Sequence, residues 1–143
     1  MQLKSLTLLD QISSFIRWKD WGPSKIPLFC VGLLYVGLTS EIVTSGFVID
    51  FVLFIFFITV HAALGYVIND WGDRRLDALH GKPNAFTSLN TLQGLRILKA
   101  MCFLAFLSGL PFVKRHFFLP LWLVLVLLLF SYSLKPLRLK ERG

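Results

Sequence analysis

Four apolar runs, at roughly 26–43, 51–68, 95–113 and 117–134, are each near the ~20 residues a helix needs to cross a bilayer. Little else in 143 residues constrains the fold as much. Hydrocarbon offers no partner for backbone N–H and C=O, so such runs become helices that satisfy their own backbone. The third is the weakest, because Arg96 and Lys99 must lie at its end and snorkel toward water. Composition agrees: 55% of residues are hydrophobic and only 16% charged, against about 45–50% and about 25% in a soluble domain. Fourteen Phe against three Tyr favour rings without a polar tip. The expected fold is all-α, a multi-pass transmembrane helical bundle of about four membrane helices, forming one membrane domain over 1–143.

The formal charge of +7 is explained by topology rather than by nucleic acid. Thirteen of the fifteen basic residues fall in the N-terminal segment, the 69–99 loop and the tail. Only Lys114 and Arg115 fall in the opposite short loop. The bias of Lys and Arg toward the inner face then places both termini and the 69–99 loop in the cytoplasm, in a bacterial or archaeal cell membrane. No cleavable signal peptide is expected, because the first ten residues lack the basic, apolar, small-residue order.

Residues 1–25 read as an interfacial lead-in, with Trp18 and Trp21 in the headgroup layer. Gly22-Pro23 is expected to end it, and Ser24 to cap the next helix. Gly32 and Gly37 offer places for a close helix approach. Cys30 and Cys102 have no zinc-like spacing and read as small packing residues. His61, inside the second run, is expected to bond a neighbouring helix; His116 is expected in an exposed loop.

The chemistry gathers at "NDWGDRRLD", residues 69–77, directly behind the second apolar run. If that helix continues, with Asn69 at zero, Asp73 falls at about 40°, Asp77 at about 80° and Asp70 at about 100°. Three carboxylates on one face repel one another and call for a cation. Oxygen donors without His or Cys favour a hard ion, Mg²⁺ or Ca²⁺, and the spacing does not fit an EF-hand. Mg²⁺ takes one or two carboxylates and completes its shell with water and phosphate oxygens. Together with Arg74, Arg75 and Lys82, this describes a metal–diphosphate site better than a metal store. Surface ion pairs among Asp73, Arg74 and Asp77 are the plainer alternative. Ala62, Ile55, Tyr66 and Thr59 fall on the same side of the incoming helix, at about 20° to 80°. They would suit a substrate with an anionic head and an apolar tail.

N69-D70-x-x-D73-x-x-x-D77 resembles the first aspartate-rich motif of UbiA-type intramembrane prenyltransferases. "RWKDWGPSKIP" (17–27), "HGKPNAF" (80–86) and "YSLKPLRLKERG" (132–143) are similar to flanking stretches of that family, in the same order. The resemblance implies a helical bundle with a central cavity and Mg²⁺-dependent transfer of a prenyl group from a prenyl diphosphate to a hydrophobic or aromatic acceptor. It implies Asn69, Asp70, Asp73 and Asp77 around the metal, with Asp73 and Asp77 catalytic and Asp70 a ligand or a supporting residue. Arg74, Lys82, Arg138 and Lys140 would face the diphosphate, with Arg17 and Lys25 as weaker contributors.

Lys135 stands where the family usually has Pro, and Ala85-Phe86 where many members have Arg-Pro. The larger departure is the missing second aspartate-rich motif: Asp10, Asp20, Glu41, Asp50 and Glu141 are scattered. The chain is therefore expected to be the first part of a larger bundle, inactive by itself. The alternative is a non-catalytic membrane partner or remnant. A CDP-alcohol phosphotransferase is disfavoured, because its Asp-Gly…Ala-Arg pattern does not occur.

Overall fold

The computed structural model describes residues 8–133, which form helices joined by short connections, with no strand among them. They are α1 (Leu8–Phe15), α2 (Trp18–Thr39), α3 (Ser45–Leu79), α4 (Thr91–Gly109), a 3₁₀ turn (Leu110–Phe112) and α5 (Phe118–Ser133). Three helical stretches are long and apolar enough to cross a membrane: Trp18–Thr39, Ser45–Leu79 and Thr91–Phe112. The fourth expected run, 117–134, coincides with the shorter apolar helix α5. The described part of α5 has 16 residues, about 24 Å of helix against a hydrocarbon core of about 30 Å.

The long central helix α3 sets the architecture. Thr44 opens it, its Oγ1 accepting from Phe47 N at 3.2 Å. Its 35 residues span about 52 Å, well beyond one hydrocarbon core, so the acidic segment extends past the apolar run on the same helix. The far end closes in a Schellman turn. Gly81, at φ +65, takes the left-handed position, and Lys82 N donates to Asp77 O at 2.9 Å. α4 begins with a reciprocal capping box between Asn90 and Gln93.

Helices α2, α4 and α5 all pack on α3. One apolar cluster joins Val60, Leu64 and Ile68 to Ala105, with Cys102 and Leu129 against it. Nearer the opposite end from the acidic segment, Phe57, Phe112 and Trp122 form a second cluster. There His61 is buried with both ring nitrogens engaged. Trp122 Nε1, which can only donate, reaches His61 Nε2 at 2.8 Å, so Nδ1 carries the proton and donates to Phe57 O at 2.9 Å. His61 thus bonds the neighbouring helix α5, as expected. Cys102 packs in the core, both cysteines are unpaired, and His116 is exposed. Outward surfaces are rich in apolar groups, with Leu28, Tyr35, Leu121 and Leu127 each at least 65% exposed, a pattern that suits contact with lipid.

The N-terminal segment differs from expectation. The break falls at Arg17, which adopts φ 51, rather than at Gly22-Pro23; α2 runs through both Pro23 and Pro27. Ser24 does not cap a helix; its hydroxyl donates to Trp21 O at 3.1 Å. Trp21 is 2% exposed, stacked on Tyr66 at 6.1 Å, with its indole donating to Ile16 O at 2.7 Å. It is a packing residue, not a headgroup anchor. Gly37 lies against the Phe47 ring, whereas Gly32 faces open space.

Gly94 provides the close approach of α4 to the acidic end of α3, since a Cβ there would overlap the Trp71 ring. Gly94→Ala is expected to lower stability by about 1–3 kcal/mol through overpacking, despite alanine's helix propensity advantage of about 1 kcal/mol. Thermal unfolding in detergent checks this.

Candidate functional site

The helix does continue through the motif, so Asn69, Asp70, Asp73 and Asp77 occupy neighbouring turns at the C-terminal end of α3. Their environments differ. Asn69 lines a cavity of about 590 Å³ between α3 and α5, walled by Ala62, Gly65, Tyr66, Leu128 and Leu129. Ala62 and Tyr66 are two of the four residues that helical phase placed beneath the carboxylates. Tyr132 and Ser133 complete the lining at the end of α5.

Asp70 is buried, its side chain 7% exposed, and Arg17 Nη1 stands 3.6 Å from its Oδ1. Arg17 also donates from Nε to Asp20 Oδ2 at 2.7 Å and lies over the Tyr66 ring at 5.5 Å. Burial by itself would lower the Arg17 pKa; the hydrogen bond and charge of Asp20 and the charge of Asp70 outweigh it and hold the guanidinium above its ordinary value. Asp73 is half-buried.

Asp77 is oriented by a residue that motif reading did not single out. Asn84 Nδ2 donates to Asp77 Oδ2 and to the Asp70 carbonyl, both at 2.8 Å. Its Oδ1 accepts from Phe86 N at 2.9 Å. One amide thus ties the 80–86 loop across two turns of the acidic segment. Its position inside "HGKPNAF", and the suitability of Asn for turns, were the available signals. Phe86, where the family often has Pro, is 1% exposed. It meets Phe15 at 5.6 Å and Trp71 at 5.7 Å between ring centroids. Asn84→Ala is expected to cost about 1–3 kcal/mol through unmade hydrogen bonds. Thermal unfolding in detergent reads this loss.

The expected cations divide. Arg74 stacks on Trp71 at 3.8 Å and, with Arg75, lines a second cavity of about 440 Å³ beside Thr87 and Asn90, not the α3–α5 cavity. Lys82 is exposed at the helix end. Arg138 and Lys140 lie outside the described residues, as does most of the 132–143 stretch. Among the described residues, no group of three or more His, Cys, Asp or Glu stands close enough to hold a metal ion unaided.

No family model, curated protein or solved structure matches the chain. The likeness to UbiA-type enzymes rests on the four short stretches alone.

Proposed function

We propose that the chain binds a prenyl diphosphate with Mg²⁺ and supplies one side of an intramembrane prenyl-transfer site. The observation that supports this reading is the apolar α3–α5 cavity ending at Asn69, the first residue of the acidic segment. An isoprenoid tail would lie along Ala62, Tyr66 and Leu129, with its diphosphate at the acidic end. The bundle would span the membrane several times with that end in the cytoplasm.

The donor set fits Mg²⁺ by chemistry, being carboxylate and amide oxygens, and leaves room for the water and phosphate ligands this ion prefers. Asn69, Asp73 and Asp77 would hold it, the last already oriented by Asn84. When bound, Mg²⁺ would offset negative charge growing on the leaving diphosphate. Lys82, at the end of the same helix, would add positive charge there. Arg138 and Lys140 follow shortly after Ser133, itself at the cavity, and would do the same.

In the reaction the allylic C–O bond breaks, the diphosphate leaves with the electron pair, and a bond forms to an acceptor carbon that then releases a proton. The apolar walls exclude water that would quench the allylic cation. The sequence contains no second carboxylate cluster, so the reading assigns to these residues the binding of the diphosphate. A partner or remnant protein without chemistry is the second reading. It is favoured by the structural contacts that Asp77 and Asp70 already make, with Asn84 and Arg17.

Titration of the full chain in nanodiscs with a fluorescent farnesyl diphosphate analogue separates the two. Saturable binding that weakens about 100-fold on chelation of divalent cations is the expected result. Binding indifferent to the chelator, or none, would favour the remnant.

A further inference from the structure

We propose that Arg17 and Asp70 are a positioning pair that docks the N-terminal helices over the acidic end of α3, and that Asp70 is this anchor rather than a metal ligand. Three observations carry it. First, the Asp70 side chain is 7% exposed and Arg17 stands 3.6 Å away; a carboxylate so buried is tolerated only with a partner. Asp20, the other partner of Arg17, is 48% exposed, and a pair so open to solvent holds little by itself.

Second, Arg17 occupies the junction of α1 and α2 at φ 51, a left-handed conformation unfavourable to a residue carrying a Cβ. Such a residue persists where its surroundings over-determine it. Here they do: Asp20, Asp70 and the Tyr66 ring all engage the guanidinium.

Third, the same junction covers a wall of the cavity. Tyr66 lies beneath Arg17 at 5.5 Å and is stacked with Trp21 at an interplanar angle of 11°. Releasing Arg17 would free both the N-terminal helices and the ring that shapes the cavity. Recruiting Asp70 to a metal would strip the junction of its buried counter-ion. Asn69 also makes a side-chain hydrogen bond to Asp70.

The metal half of the inference rests on the proposed function; the docking half does not, and the test separates them. Hydrogen–deuterium exchange of the full chain in nanodiscs reads docking over residues 12–25. Arg17→Gln and Asp70→Asn are each expected to accelerate exchange there about tenfold. The double variant should be no faster than the faster single one, and Arg17→Lys should recover part of the protection. Mn²⁺ titration with inorganic diphosphate, which has no tail to lie against Tyr66, reads the metal. Asp70→Asn should stay within about threefold of the unaltered chain, and Asp73→Asn should bind more than about tenfold more weakly.

Unchanged exchange in both single variants would overturn the pair. Mn²⁺ weakened equally by Asp70→Asn and Asp73→Asn would overturn the division of roles. An unaltered chain that binds no Mn²⁺ would count against the proposed function, while exchange still decides the docking. Arg17 is exposed enough for its replacement to spare the fold, and circular dichroism of each variant checks that helix content is kept.

Discussion

Asp73→Ala together with Asp77→Ala is expected to abolish cation-dependent prenyl diphosphate binding, weakening it by about 100-fold or more. Residues that merely support metal ligands are worth about 10–100-fold, so removing two of the proposed ligands should exceed that range. Asp77 is held by Asn84 at 2.8 Å, and its truncation also leaves that amide short of an acceptor. The fold should survive, because α3 is closed by a Schellman turn through the Asp77 backbone carbonyl, which alanine retains. Equilibrium titration with and without Mg²⁺, beside a thermal melt, separates lost binding from lost structure. Undiminished binding in the double variant would remove the carboxylates from the site.

Trp122→Ala should be the most destabilising single change far from the acidic end, at about 3–5 kcal/mol. Trp122 is 8% exposed and packs with Phe57 and Phe112. Its indole also donates to His61 Nε2 at 2.8 Å. Trp122→Phe isolates the second effect: most of the packing stays, and a buried acceptor is left unmade at about 1–3 kcal/mol. Adding His61→Leu to Trp122→Phe removes the orphaned nitrogen, so the double variant should be more stable than the sum of the singles. Unfolding midpoints of the four proteins in one detergent complete the cycle. Strict additivity would show that the two rings contribute independently.

Much of α3 was legible because helical phase is local information. The apolar run and the acidic segment share one period, and nothing between Phe51 and Leu79 interrupts it, so one continuous helix and one common face followed. His61 was legible for a related reason: a polar ring inside an apolar run must find a partner, although its identity as Trp122 depends on how α5 packs. The N-terminal segment was misread because Gly22-Pro23 looks like a stop. The chain instead breaks at Arg17, whose contacts with Asp70 and Tyr66 come from a distant helix. Asn84 was missed likewise, since a loop amide reveals its partners only when the loop folds back. The separation of Arg74 from the α3–α5 cavity follows from phase, at about 140° from Asn69, and charge alone conceals it.

In the proposed function, acidic segment and apolar cavity act as one site for a molecule with an anionic head and an isoprenoid tail. The direct measurement compares the Mg²⁺-dependent affinities of farnesyl diphosphate and inorganic diphosphate for the full chain in nanodiscs, before and after Ala62→Phe. Ala62 lines the cavity without belonging to the acidic segment. Farnesyl diphosphate should bind at least about 100-fold more tightly, from tail burial at about 0.8 kcal/mol per CH₂ less the tail's free partition into lipid. Ala62→Phe should erase most of that advantage and leave inorganic diphosphate unaffected. Equal affinities for the two ligands, or an advantage untouched by Ala62→Phe, would contradict it.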